Sequence, residues 1–156
     1  MTELVVIHGI SLPPGQYGGP EIEALFTNTL DPDAHPYFAE ISGLEVSAHF
    51  LLRRTGEVVQ FVSTDARAWH AGVSCWQGRE QCNDFSIGIE LEGCDEEAYT
   101  DSQYVALNQL LAVLTKQYPD IRHDAIVGHS DIAPGRKTDP GPAFDWSRVV
   151  ASQSQQ

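Results

Sequence analysis

The sequence predicts an α+β protein, and three stretches carry that expectation. Leu4 to Ile10 is a short, β-branched apolar run, the signature of a buried strand. Ser86 to Glu92 alternates strictly, with Ile87, Ile89 and Leu91 facing one way and Gly88, Glu90 and Glu92 the other. After Thr100 the period changes: Tyr104, Leu107, Leu111 and Leu114 form one stripe of a helix that runs to about Gln117. The chain shows no internal repeat and no second core, and its 156 residues suit one domain, 1–150, with a polar tail at 151–156.

In order along the chain, Leu4 to Ile10 is followed by a Pro- and Gly-rich loop, Ser11 to Pro20. Glu21 to Leu30 reads as a short helix, with Ile22, Leu25, Phe26 and Leu30 on one side. Asp31 to Leu44, interrupted by Pro32 and Pro36, reads as irregular. Glu45 to Val62 reads as a hairpin turning at Thr55-Gly56. Ser63 to Phe85 is expected to be a long loop, and a connection of that length is more often functional than idle. Thr100, with Gln103 three residues on, is placed for a capping box. Ala125-Ile126-Val127 is a last short strand, and Asp145 to Val150 a terminal helical turn.

Composition narrows the partners. Nine basic against 22 acidic side chains give a net charge of −13, which argues against nucleic acid and anionic membrane surfaces. No segment is apolar for long enough to span a bilayer. The start, Met1-Thr2-Glu3, does not read as a signal peptide, and Cys75, Cys82 and Cys94 are odd in number and in no Cys-x-x-Cys spacing. The expectation is a cytoplasmic monomer with reduced thiols.

Chemistry concentrates at the two ends. His8 lies on the first apolar strand, and Gly128 to Pro142 brings His129, Asp131, Lys137 and Asp139 into one Pro/Gly-rich loop. Two histidines and one carboxylate make a hydrolytic zinc set with an open fourth position. Spacing alone leaves Asp131 and Asp139 in competition for the third ligand. Glu90 shares the polar face of its strand with a glycine, which leaves room for a close approach; Glu92 has the same facing nearer the strand end. Trp69-His70-Ala71-Gly72 could wall a groove, Arg79 could offset acidic charge beside it, and His49 could lie behind the site. His35 and His123 read as surface or loop residues.

These blocks resemble the AmpD-type 1,6-anhydro-N-acetylmuramoyl-L-alanine amidases of the amidase-2 and peptidoglycan-recognition-protein superfamily. The resemblance is carried by Ile10-Ser11-Leu12-Pro13-Pro14-Gly15, Val46-Ser47-Ala48-His49 and Ala68-Trp69-His70-Ala71-Gly72-Val73-Ser74. It continues in Cys82 to Gly93, in Asp131-Ile132-Ala133-Pro134 and in Arg136-Lys137-Thr138-Asp139-Pro140-Gly141. It implies a mixed central β-sheet flanked by helices, with a zinc site at one edge of the sheet. It implies zinc held by His8, His129 and Asp139, with Asp131 a structural loop residue, Glu90 the general base and Lys137 the helper at the tetrahedral intermediate. The implied substrate is an anhydro-muropeptide from cell-wall turnover. Two departures stand out: Gly9 where such proteins often have Asn, and Ser130 where Cys is frequent. Rival readings are an amidase of intact wall, or a module that binds peptidoglycan without cutting it.

Overall fold

The structure, a computed structural model, describes residues 1–150; the tail expected at 151–156 lies outside the described residues. The two strongest strand signals pair with each other. β1 (Leu4–Ile10) and β6 (Ser86–Glu92) run parallel, in a register that sets His8 beside Glu90. Between them in sequence come α1 (Glu21–Phe26), α2 (Pro36–Glu40), the antiparallel pair β2 (Phe50–Leu52) and β3 (Val58–Gln60), and a two-residue hairpin, β4 (Cys75–Trp76) with β5 (Arg79–Glu80). After β6 come α3 (Asp101–Gln117), β7 (Ile126–Gly128) and α4 (His129–Ile132). The main sheet has the order β3-β2-β6-β1-β7 and is mixed, since only β3 runs against its neighbour.

Each face of the sheet has its own core. Val5, Ile7, Ile87, Ile89 and Leu91 meet Tyr104, Leu107, Leu111 and Leu114 of α3. The helix is fixed at its start by the expected capping box: Thr100 Oγ1 accepts from the Gln103 amide at 3.1 Å, and Gln103 Oε1 accepts from the Thr100 amide at 3.0 Å. Gln103 Nε2 also donates to the carbonyls of Leu52 and Glu92, tying the helix to the ends of β2 and β6. On the opposite face Leu4 and Val6 pack with Phe85, Val127 and Ile132, while Leu51 packs with Leu12, Ile22, Phe26 and Phe38. All seven residues of β6 are therefore buried, including the face that carries Gly88, Glu90 and Glu92.

Some expected boundaries shift for local reasons. The helix from Glu21 stops at Phe26, because Thr27 Oγ1 turns back on the Glu23 carbonyl and Asn28 takes φ 60°. The stretch expected to be irregular holds α2, started by Pro36 and capped by His35, whose Nδ1 accepts from the Tyr37 amide at 3.0 Å. The loop expected from Ser63 to Phe85 contains the β4–β5 hairpin, turned by Gln77 and Gly78 at φ 49° and 83°.

Candidate metal centre

The parallel strands end in one place, where sites of open α/β sheets usually form. His8 projects from the fifth position of β1, and His129 opens α4 directly after β7, the sheet's edge strand. Asp139 is brought in by its loop: its carbonyl accepts from the Ser130 amide at 3.0 Å, and its Oδ2 accepts from the Gly9 amide at 3.2 Å. Gly9, the departure noted in the sequence, thus holds the carboxylate through its backbone.

The donor atoms converge. His8 Nδ1 lies 3.0 Å from His129 Nδ1 and 3.4 Å from Asp139 Oδ2, and His129 Nδ1 lies 3.3 Å from Asp139 Oδ2. Bonds of about 2.0–2.1 Å to a tetrahedral ion would place its donors about 3.3 Å apart, so the set fits such an ion without rearrangement. Glu90 Oε1 is 3.8 Å from His8 Nδ1, and Glu90 Oε2 is buried with no hydrogen-bond partner among the described residues. Asp131 points elsewhere: its Oδ2 accepts from the Gly128 amide at 2.8 Å and caps α4.

Burial shapes the charges. It pushes the His8 pKa down to about 4, against a hydrogen bond to Asp139 that raises it. His70 and His49 are lowered for the same first reason. Burial alone would raise Asp139, but its hydrogen bonds with His129 and His8 outweigh that and hold the carboxyl well below the usual range. Glu90 is raised well above the usual carboxylate value, by burial first and the Asp139 charge second, with Lys137 pulling the other way. Lys137 is exposed at the rim.

The site opens into a cleft of about 540 Å³. Trp69, about half exposed, stands on its wall. The same cleft is lined by an apolar set, Leu25, Phe26, Tyr37, Ile41, Leu44 and Val46, whose place at the site sequence reasoning missed. Leu25 and Phe26 were marked as one side of a helix, but the residues come from separate short segments without a shared period, so no pattern showed that they would meet at the cleft. His70 and Ala71 are buried, and Gly72, at φ 61°, packs under the Arg136 guanidinium. Arg79 is not brought to the cleft: it bonds Glu3 Oε2 at 3.2 Å and lies over the Phe85 ring. Glu92 is likewise occupied elsewhere, accepting from Arg53 Nη1 at 3.0 Å and from the Gly18 and Arg54 amides. His49 donates through Nε2 to the Ala66 carbonyl and accepts the Gly88 amide at Nδ1, two rings away from His8.

Residues 2–142 match the family model described as N-acetylmuramoyl-L-alanine amidase. The chain is 68% identical over 148 residues to the 1,6-anhydro-N-acetylmuramyl-L-alanine amidase AmpD of Enterobacter cloacae, covering 95% of this chain and 79% of that one. It is 66% identical to the protein of the same name from Escherichia coli K12, over 93% and 79% of the two chains. Among solved structures, a selenomethionine AmpD crystal structure superposes with a TM-score of 0.94 at 62% identity, over 97% and 84%. A complex of the Pseudomonas aeruginosa protein AmpDh3 with anhydromuramic pentapeptide superposes at 0.76 and 30% identity, over 97% and 60%.

Proposed function

This chain belongs to the N-acetylmuramoyl-L-alanine amidase family, and on that premise we propose that it is a zinc enzyme of cell-wall recycling that hydrolyses the lactyl–L-alanine amide of 1,6-anhydro-muropeptides. The observation that carries the reading is the convergence of His8, His129 and Asp139 beside a buried Glu90 with one unpartnered oxygen. Zinc suits two imidazole nitrogens and a carboxylate with a fourth position open. When bound, it polarises the scissile carbonyl and brings the pKa of water toward about 7.

The chain's own groups do the rest. The Glu90 carboxylate takes the proton of the water that attacks the carbonyl carbon. It then returns that proton to the alanine nitrogen as the C–N bond breaks. Burial suits Glu90 to this work, because a desolvated carboxylate holds a proton more strongly than one in water. Lys137, on the rim of the same cleft, faces the negative charge that grows on the carbonyl oxygen. Trp69 and the apolar set offer flat, dry surface to the rest of the substrate. A monomer acting in the cytoplasm fits three cysteines that form no disulfide.

The test compares peptide release from an anhydro-muramoyl tripeptide with release from purified sacculi, at matched bond concentration and salt. The soluble substrate should be cleaved faster, with activity lost to a chelator and restored by zinc. Equal or faster release from sacculi would overturn the recycling role in favour of a wall-cutting amidase.

A further inference from the structure

Behind the two histidines lies a connected set of residues that the proposed chemistry does not use. An imidazole that binds a cation through one nitrogen carries its proton on the other, and a buried N–H needs an acceptor. For His129 the acceptor is the Ala71 carbonyl, 3.0 Å from Nε2, which also accepts from Arg136 Nη2 at 2.7 Å. For His8 it is the side chain of the adjoining residue, His70, whose Nδ1 lies 2.9 Å from His8 Nε2. With His8 donating, the His70 proton must sit on Nε2, which is 3.0 Å from Ser86 Oγ.

Two neighbouring residues therefore back both histidines. Their backbone N–H groups donate to one atom, Asn83 Oδ1, at 3.1 Å from His70 and 2.8 Å from Ala71. Space for the His70 ring comes from Gly88, where any Cβ would run into its Cγ. This is the close approach that a glycine on the polar face of β6 signalled. A carboxylate is a common partner for a ligand histidine. Here Glu90 and Asp139 already crowd the site, and a third buried negative charge would be costly. A neutral imidazole accepts from His8 without adding charge.

We propose that the His70–Ala71 segment, clamped by Asn83, is a shared brace that sets the ring orientation and proton placement of both metal-binding histidines, with His70 and Asn83 as positioning residues. The inference rests on the metal reading of the site.

The full chain tests it by zinc affinity, measured by chelator competition at one neutral pH. The visible spectrum of the cobalt-substituted protein and the unfolding midpoint of the metal-free form are measured alongside. His70→Ala and Asn83→Ala should each weaken zinc binding about 10- to 100-fold and shift the cobalt bands. His70→Asn, whose side-chain oxygen can replace the lost acceptor, should recover most of the affinity. If His70→Ala fails to fold, Ser86→Ala carries the test: zinc binding of the folded protein should weaken and its cobalt bands shift, because the His70 proton is no longer held on Nε2. Unchanged affinity and spectrum in folded His70→Ala or in Ser86→Ala, or His70→Asn no better than His70→Ala, would overturn the brace. A parent protein that takes up no zinc would overturn the metal reading itself, and the brace with it.

Discussion

Asp131 and Asp139 show how little separates a ligand from a cap. Both fall in the Pro/Gly-rich stretch from Gly128 to Pro142, read as one loop from the sequence, but Asp131 lies in α4 and Asp139 in the loop after it. The structure parts them by what each faces: Asp139 meets two imidazoles, and Asp131 meets the Gly128 amide. Asp139→Ala should therefore remove metal and activity together, whereas Asp131→Ala should keep the metal and lower the unfolding midpoint, because the Gly128 amide loses the acceptor that closes the start of α4. Metal analysis and thermal unfolding of the two proteins check this. Glu90→Ala should keep its metal while turnover falls about 100- to 10,000-fold. Lys137→Ala should lower kcat more than it raises KM, because the charge it faces exists mainly in the transition state. Steady-state kinetics on metal-loaded protein reads both. His8, His129 and Glu90 were legible as candidates, because a polar residue on an apolar strand, or at a strand end, is conspicuous. His70 was read as part of a groove wall, and its place behind His8 was not legible, since the acceptor of a buried N–H is fixed by tertiary contact and not by spacing.

At the scale of elements, the long periodic signals survived intact. β1, β6 and α3 have the limits their patterns imply, because each buries a full stripe or face and a shift of register would expose it. Leu107 is fully buried in the α3 stripe, so Leu107→Ala should cost about 2–5 kcal/mol, read as a lower midpoint in denaturant. Of the short elements, α1, the β2–β3 pair and β7 were read from the sequence, with shifted limits, but α2 and β4–β5 were not. α2 depends on His35 accepting the Tyr37 amide, and β4–β5 on two positive φ angles at Gln77 and Gly78, neither of which a hydrophobic pattern reports. The second face of β6 was also open to either reading from sequence alone. Alternation marks Gly88, Glu90 and Glu92 as polar, but only the packing of the connecting segments shows that they face a closed interior.

For the molecule as a whole, burying neutral histidines ties stability to pH. His8 is lowered to about 4 from the ordinary 6.5, and His49 and His70 are lowered too. A group whose folded value is depressed refuses protons that the unfolded chain accepts. Its full contribution to stability is present above about 6.5 and is lost as pH falls from there toward the folded value. Chelator-treated protein should therefore show a midpoint of thermal unfolding that drops steadily between about pH 7 and pH 5. A flat profile across that range would contradict the buried, neutral state of these rings.

His8 and His129 are 121 positions apart, and Asp139 lies later still. An ion held by all three would act as a clasp between two segments far apart in the sequence. Cross-linking a loop of that size removes roughly 4–5 kcal/mol of freedom from the unfolded ensemble, if the disulfide case is a guide. The clasp also has a timing. Synthesis produces His8 well before His129 and Asp139, so a nascent chain cannot close it until Asp139 has emerged. A product that stops before Asp139 lacks one donor and leaves the Gly9 amide without its carboxylate partner. Loading with metal would in this way report that translation had passed Asp139, and the clasp would secure only copies that carry all three donors.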